Sequence, residues 1–215
     1  YETHIDSCIG ELHMDSVGKR EVIALMQKAN DRLAPSSAYR LFVLLRYLFN
    51  IAIRWDVGGI KENPTKNYAL PRIDNHRERF LSKEETQRLL SALNSSRNKM
   101  LRYIIPMLLL TGARKREVLD AQWVDFDLEH RYWRIPFTKA GTERYVPLSD
   151  AAITLLCSIP QRRKCSYVFA NPNTRKPYVS IYYSWHSARK QAGLTDVRVH
   201  DLRHSFASFL VNAGC

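Results

Sequence analysis

Over 71–79 the chain reads PRIDNHRER, a polar and charged stretch with no apolar period, and no other feature constrains the fold as much. Apolar patterning runs on both sides of it, so the 215 residues divide into two separately buried parts joined by an interdomain segment. The expected layout is a first domain over 1–72, a linker over 73–79 and a second domain over 80–215.

The first domain reads as helical. Over 16–33, Val17, Val22, Leu25, Met26 and Ala29 recur at roughly helical spacing, until Pro35 interrupts. Ser36 or Ser37 then caps a longer helix through about Trp55, with Leu41, Leu44, Leu45, Leu48, Phe49 and Ala52 along it. Gly58 and Gly59 end that helix, and Asn63-Pro64 marks a turn. Its arginines Arg40, Arg46 and Arg54 can meet either phosphates or water.

After the linker, LSKEE supplies a capping box of Ser82 and Glu85 for a helix to about Leu93. A further helix over 98–110 is expected to kink or break at Pro106, before a Thr111-Gly112 turn and a short helix over 115–121. From Trp123 the period changes. Val124, Phe126 and Leu128 alternate with Asp125 and Asp127, and 132–137 and 144–147 read as strands around a Lys139-Ala140-Gly141 turn. Helices return over 150–158, 180–192 and 201–213. The fold class that follows is mainly α with a small antiparallel β-sheet.

Charge narrows the choice of partner. The net +12 divides into +2 over 1–72 and +10 over 73–215. A basic second domain suits a polyanion, and nucleic acid is the usual one. No apolar run reaches the length of a membrane span, and Glu2, His4 and Asp6 stand where a signal peptide would be apolar. Cys8, Cys157, Cys165 and Cys215 form no C-x-x-C pair or framework, which fits a reducing cytoplasm.

Three segments carry chemistry: TGARKRE from Thr111, TKAGTERYVPL from Thr138 and HDLRHSFAS from His200. They offer arginines, a lysine on the expected hairpin, a histidine and a carboxylate, a set suited to a phosphodiester whose phosphorus gains charge. Arginine forks suit phosphate better than a point charge does. The residues alone leave choices open, since Arg114, Lys115 and Arg116 form a run in which any member can simply face water. His200 and His204 have the spacing of two zinc ligands on one helix face, but HDLRH lacks the glutamate of H-E-x-x-H and its arginine repels a metal ion. Packing or a hydrogen bond within the helix suits His204 better.

The three segments, in that order, resemble the tyrosine recombinase (phage integrase) family over nearly the whole chain. TGxRxxE, the TKxGxxRxVPL hairpin and HxLRHSFAS are specific motifs. The resemblance puts the family's first arginine at Arg114, its hairpin lysine at Lys139, its His-x-x-Arg pair at His200 and Arg203, and its acidic residue at Glu117. It implies a helical core-binding domain plus a mixed α+β integrase-type catalytic domain, duplex DNA as partner, and no cofactor, metal or membrane.

The implied activity is site-specific recombination of mobile or phage DNA. A tyrosine attacks a DNA phosphate to give a 3′-phosphotyrosine and a free 5′ hydroxyl, and homotetramers work on two DNA sites. Family members carry a His or Trp and then that tyrosine beyond the third motif, whereas no tyrosine follows Tyr183 here. Tyr182 and Tyr183 precede HDLRH. The sequence therefore reads as a recombinase whose catalytic domain is incomplete at its C-terminus, inactive in cleavage as these 215 residues stand. A non-catalytic sequence-specific DNA-binding module or regulator with the same fold is the alternative.

Overall fold

The structure, a computed structural model, describes residues 2–57, 59–69, 79–136, 141–160 and 165–212. Of the expected linker only Arg79 falls within these residues, and Lys139 and Ala140 of the expected turn lie outside them. Two compact units result, Tyr1–His76 and Arg77–Cys215.

The first unit opens with a π-helical turn, Glu2–Asp6, and a single turn α1 (Ser7–Ile9). Two helices follow, α2 (Lys19–Arg32) and α3 (Pro35–Arg54). Val22, Leu25, Met26 and Ala29 of α2 are buried against Leu41, Phe42, Leu45 and Phe49 of α3, as their helical spacing requires. The starts of both helices differ from expectation. Met14–Ser16 is a 3-10 turn, and α2 begins only at Lys19, where the Glu21 carboxylate accepts from the Gly18 N–H at 2.9 Å. Pro35 does not merely interrupt; it opens α3 at its first position, with Ala34 rather than Ser36 or Ser37 as the cap. Proline suits that position because the N–H it lacks has no helical partner there. Asn63 pins the following turn to α3. Its Nδ2 donates to the Arg46 carbonyl and to Asn50 Oδ1, and its Oδ1 accepts from Thr65 N–H and Oγ1.

The second unit is mostly helical around α5 (Leu101–Thr111), most of whose side chains are buried. The helices α4 (Lys83–Asn94), α6 (Lys115–Asp120), α7 (Asp150–Ser158) and α9 (Asp201–Asn212) pack on α5, and α8 (Tyr182–Gln191) packs on α4. The Ser82–Glu85 capping box forms in both directions, at 3.2 and 3.0 Å, and Ser149 caps α7 through Ala152 N–H. Pro106 does not break α5, which continues unbroken through it. The core-facing apolar residues on either side hold the helix although one backbone donor is missing.

A three-stranded antiparallel sheet in the order β1-β2-β3 is formed by β1 (Phe126–Asp127), β2 (Tyr132–Ile135) and β3 (Arg144–Pro147). The alternation expected from Val124 begins two residues later, because Trp123–Asp125 is a 3-10 turn. Among the described residues, no helix is long and apolar enough to cross a membrane.

Candidate functional site

α5 ends at Thr111, and the chain bends through Gly112 and Ala113 before α6. The buried Thr111 hydroxyl donates to the Met107 carbonyl at 2.6 Å and accepts from the Ala113 N–H at 3.3 Å. Gly112 has φ 58°, and a Cβ there would lie 2.3 Å from Cδ1 of Phe206 on α9. Glycine is therefore required for both its backbone angle and the closeness of that ring. The bend lies directly against α9.

Arg114 emerges from this bend as the residue preceding α6. Glu117, one turn on, reaches back to it twice. Its carboxylate accepts from the Arg114 N–H at 2.8 Å and from Arg114 Nη1 at 2.9 Å. A third donor comes from the sheet, Arg144 Nη2 at 2.6 Å. The Glu117 side chain is 7% exposed, whereas that of Arg114 is 44% exposed and open to a ligand. Burial alone would raise the carboxyl's pKa. The Arg114 amide and the Arg144 and Arg114 guanidinium groups outweigh burial and hold it below the ordinary glutamate value.

From the far end of the sequence, Arg203 on α9 donates Nη1 to the Gly112 carbonyl at 2.6 Å, two residues ahead of Arg114. His200 stands in the turn before α9, exposed, and its carbonyl accepts from the Arg203 N–H at 3.1 Å. Its ring meets that of His204 edge to face, with centroids 5.3 Å apart. His204 is itself exposed, and its ring contact is with His200 rather than with a packed interior. Asp201 is buried and its carboxylate accepts from the Arg198 N–H at 2.8 Å, fixing the turn that carries His200.

The structure thus joins Arg114 to Glu117 directly and sets Arg203 on the backbone beside them. It gives His200 a backbone link to Arg203, and Lys139 lies outside the described residues.

The run of three cations splits by role. Arg114 binds Glu117, Lys115 is exposed, and Arg116 pairs with Asp120 while donating to the Tyr178 carbonyl at 2.9 Å. Beside Arg114 a cleft of about 550 Å³ opens, lined by Glu117, Gln122, Trp133, Ile135 and Pro136 among others. Tyr182 and Tyr183 are exposed at the start of α8.

Arg144 is the arginine of the TKxGxxRxVPL motif, but the sequence alone gives it no role at the site. Its signal is strand parity. It lies two residues before the apolar Val146 and so on the same face, where a charge calls for a partner.

The phage integrase family model matches residues 79–215. The chain is 33% identical over 173 residues to the shufflon-specific DNA recombinase of Escherichia coli, covering 80% of this chain and 42% of that protein. It is 30% identical over 158 residues to the integrase of Salmonella phage P22, covering 67% and 40%. The chain therefore spans about two fifths of the length of these relatives. Its fold is similar to that of the Tn1549 transposon integrase (residues 82–397) in complex with circular intermediate DNA. The TM-score is 0.77 at 19% identity, over 95% of this chain and 76% of that one.

Proposed function

This chain belongs to the phage integrase family, and from that membership we propose that it binds duplex DNA and serves site-specific recombination of mobile DNA. The observation that carries the reading is the bond from Arg203 to the carbonyl of Gly112, which brings a guanidinium from 89 positions beyond Arg114 to the backbone that presents it. Forked cations in one place suit the non-bridging oxygens of a single phosphate.

In this reading Arg114 and Arg203 bind the scissile phosphate, Glu117 orients Arg114, and His200 donates to a phosphate oxygen or assists proton transfer. Lys139 donates the proton that the leaving 5′ oxygen takes up. A tyrosine oxygen forms the new bond to phosphorus as the bond to that 5′ oxygen breaks, leaving a 3′-phosphotyrosine. Arg114, Glu117, His200 and Arg203 bind and polarise the phosphate for that attack. In this reading the protein acts as a homotetramer on two DNA sites. Cys8, Cys157 and Cys165 are free thiols, in keeping with action in the cytoplasm.

Fluorescence anisotropy with a labelled random-sequence duplex tests the reading. Arg114→Ala and Arg203→Ala should each weaken binding by about tenfold at low salt, and each should flatten the salt dependence by about one counterion. Arg97→Ala, an exposed arginine of the same unit outside the proposed site, serves as the control. Equal affinity in all three variants would refute the reading.

A further inference from the structure

Strand β3 carries an arginine where its alternation calls for an apolar side chain. Val146 is buried and pairs with buried Trp133. Arg144 shares that face, two residues earlier, opposite buried Ile135. Its Nη2 bonds Glu117, and its Nε is buried with no hydrogen-bond partner among the described residues. Its side chain is still a third exposed, but an unpaired buried donor costs stability that an apolar residue here would not, so packing alone does not account for the arginine.

The geometry of Glu117 offers another account. One carboxylate oxygen receives Arg144 and the other receives the Arg114 guanidinium. Two permanent positive charges share one negative charge, and the cluster keeps a net +1. Paired with Glu117 alone, Arg114 would be well oriented but electrically cancelled, with little left to attract an anion. The second guanidinium removes that conflict between orientation and charge.

We propose that Arg144 is a positioning residue for the phosphate site, offsetting the charge of Glu117 so that the carboxylate aims Arg114 without neutralising it. The inference rests on the reading of Arg114 as a phosphate ligand. Arg144 itself makes no contact with DNA in this scheme. It also ties β3, and with it the sheet, to α6.

The test measures affinity for a fluorescein-labelled random-sequence duplex at low salt, with thermal melting of each variant as a check on folding. Arg144→Met puts an apolar side chain on the inner face, so the fold should survive while affinity falls by about tenfold. Arg144→Lys keeps the charge and should stay within about threefold of wild type. Adding Glu117→Gln to Arg144→Met removes the uncancelled carboxylate and should restore most of the lost affinity, a recovery that a merely structural role would not produce. Wild-type binding by Arg144→Met, or no recovery in the double variant, would overturn the proposal. Arg114→Ala separates the two levels. If it binds like wild type, the phosphate reading has failed; if it alone binds weakly, the role of Arg144 has failed.

Discussion

Arg203 Nη1 lies 2.6 Å from the carbonyl oxygen of Gly112, so a helix near the end of the chain grips the backbone that presents Arg114. The same bend is crowded by Phe206, one turn further along α9. The conformation at Gly112 is therefore held by contacts from α9 as well as by the local bonds of Thr111 and Arg114.

Gly112→Ala should be strongly destabilising. The new methyl meets the Phe206 ring, and the backbone at φ 58° disfavours a side chain. We expect a loss of about 2–4 kcal/mol from the combined strain and overpacking. Urea unfolding measures it, and a loss below that of an ordinary surface substitution would contradict the account of the bend.

Ser205→Ala probes how α9 is tied to the start of the second unit. The fully buried Ser205 hydroxyl accepts from the Leu81 N–H at 2.9 Å and donates to the Asp201 carbonyl. Alanine would leave the Leu81 N–H buried and unpaired, at a cost of about 1–3 kcal/mol. Stability in urea should fall accordingly, while Ser208→Ala, which alters a partly exposed position of the same helix, should change little. Equal losses in the two variants would contradict the tie to Leu81.

Much of this architecture is legible in the residues. Ser82 with Glu85, and the apolar spacing in α2 and α3, report local rules that the folded chain obeys. The exceptions are instructive. Pro106 reads as a breaker, yet α5 is held by burial on either side, which a single-residue propensity does not capture. Pro35 reads as an end when it is a beginning, since the same missing N–H suits both. The motifs identify Arg114, Glu117 and Arg203 as site candidates, and Glu117 meets Arg114 locally, but the approach of Arg203 depends on α9 packing on α5. The hairpin motif contains Arg144 but gives it no role, because its importance lies in the face of β3 it occupies, and that face is fixed by pairing with β2.

Glu117 should impose a pH dependence on stability. Its carboxyl is held below the ordinary glutamate value, so its contribution is fully present above the unfolded-state pKa of about 4.5. It is lost as pH falls through the lower folded value. Urea unfolding below pH 5 should show wild type losing stability more steeply with falling pH than Glu117→Gln. Parallel curves would contradict the network drawn around this residue.

In the proposed site Arg114 and Arg203 hold one DNA phosphate, and a structure of this chain bound to duplex DNA would show whether they do. Guanidinium nitrogens of both residues should lie within about 3 Å of non-bridging oxygens on the same phosphate, with Glu117 still bonded to Arg114. Arginines on different phosphates, or a duplex bound away from the bend at Gly112, would contradict it.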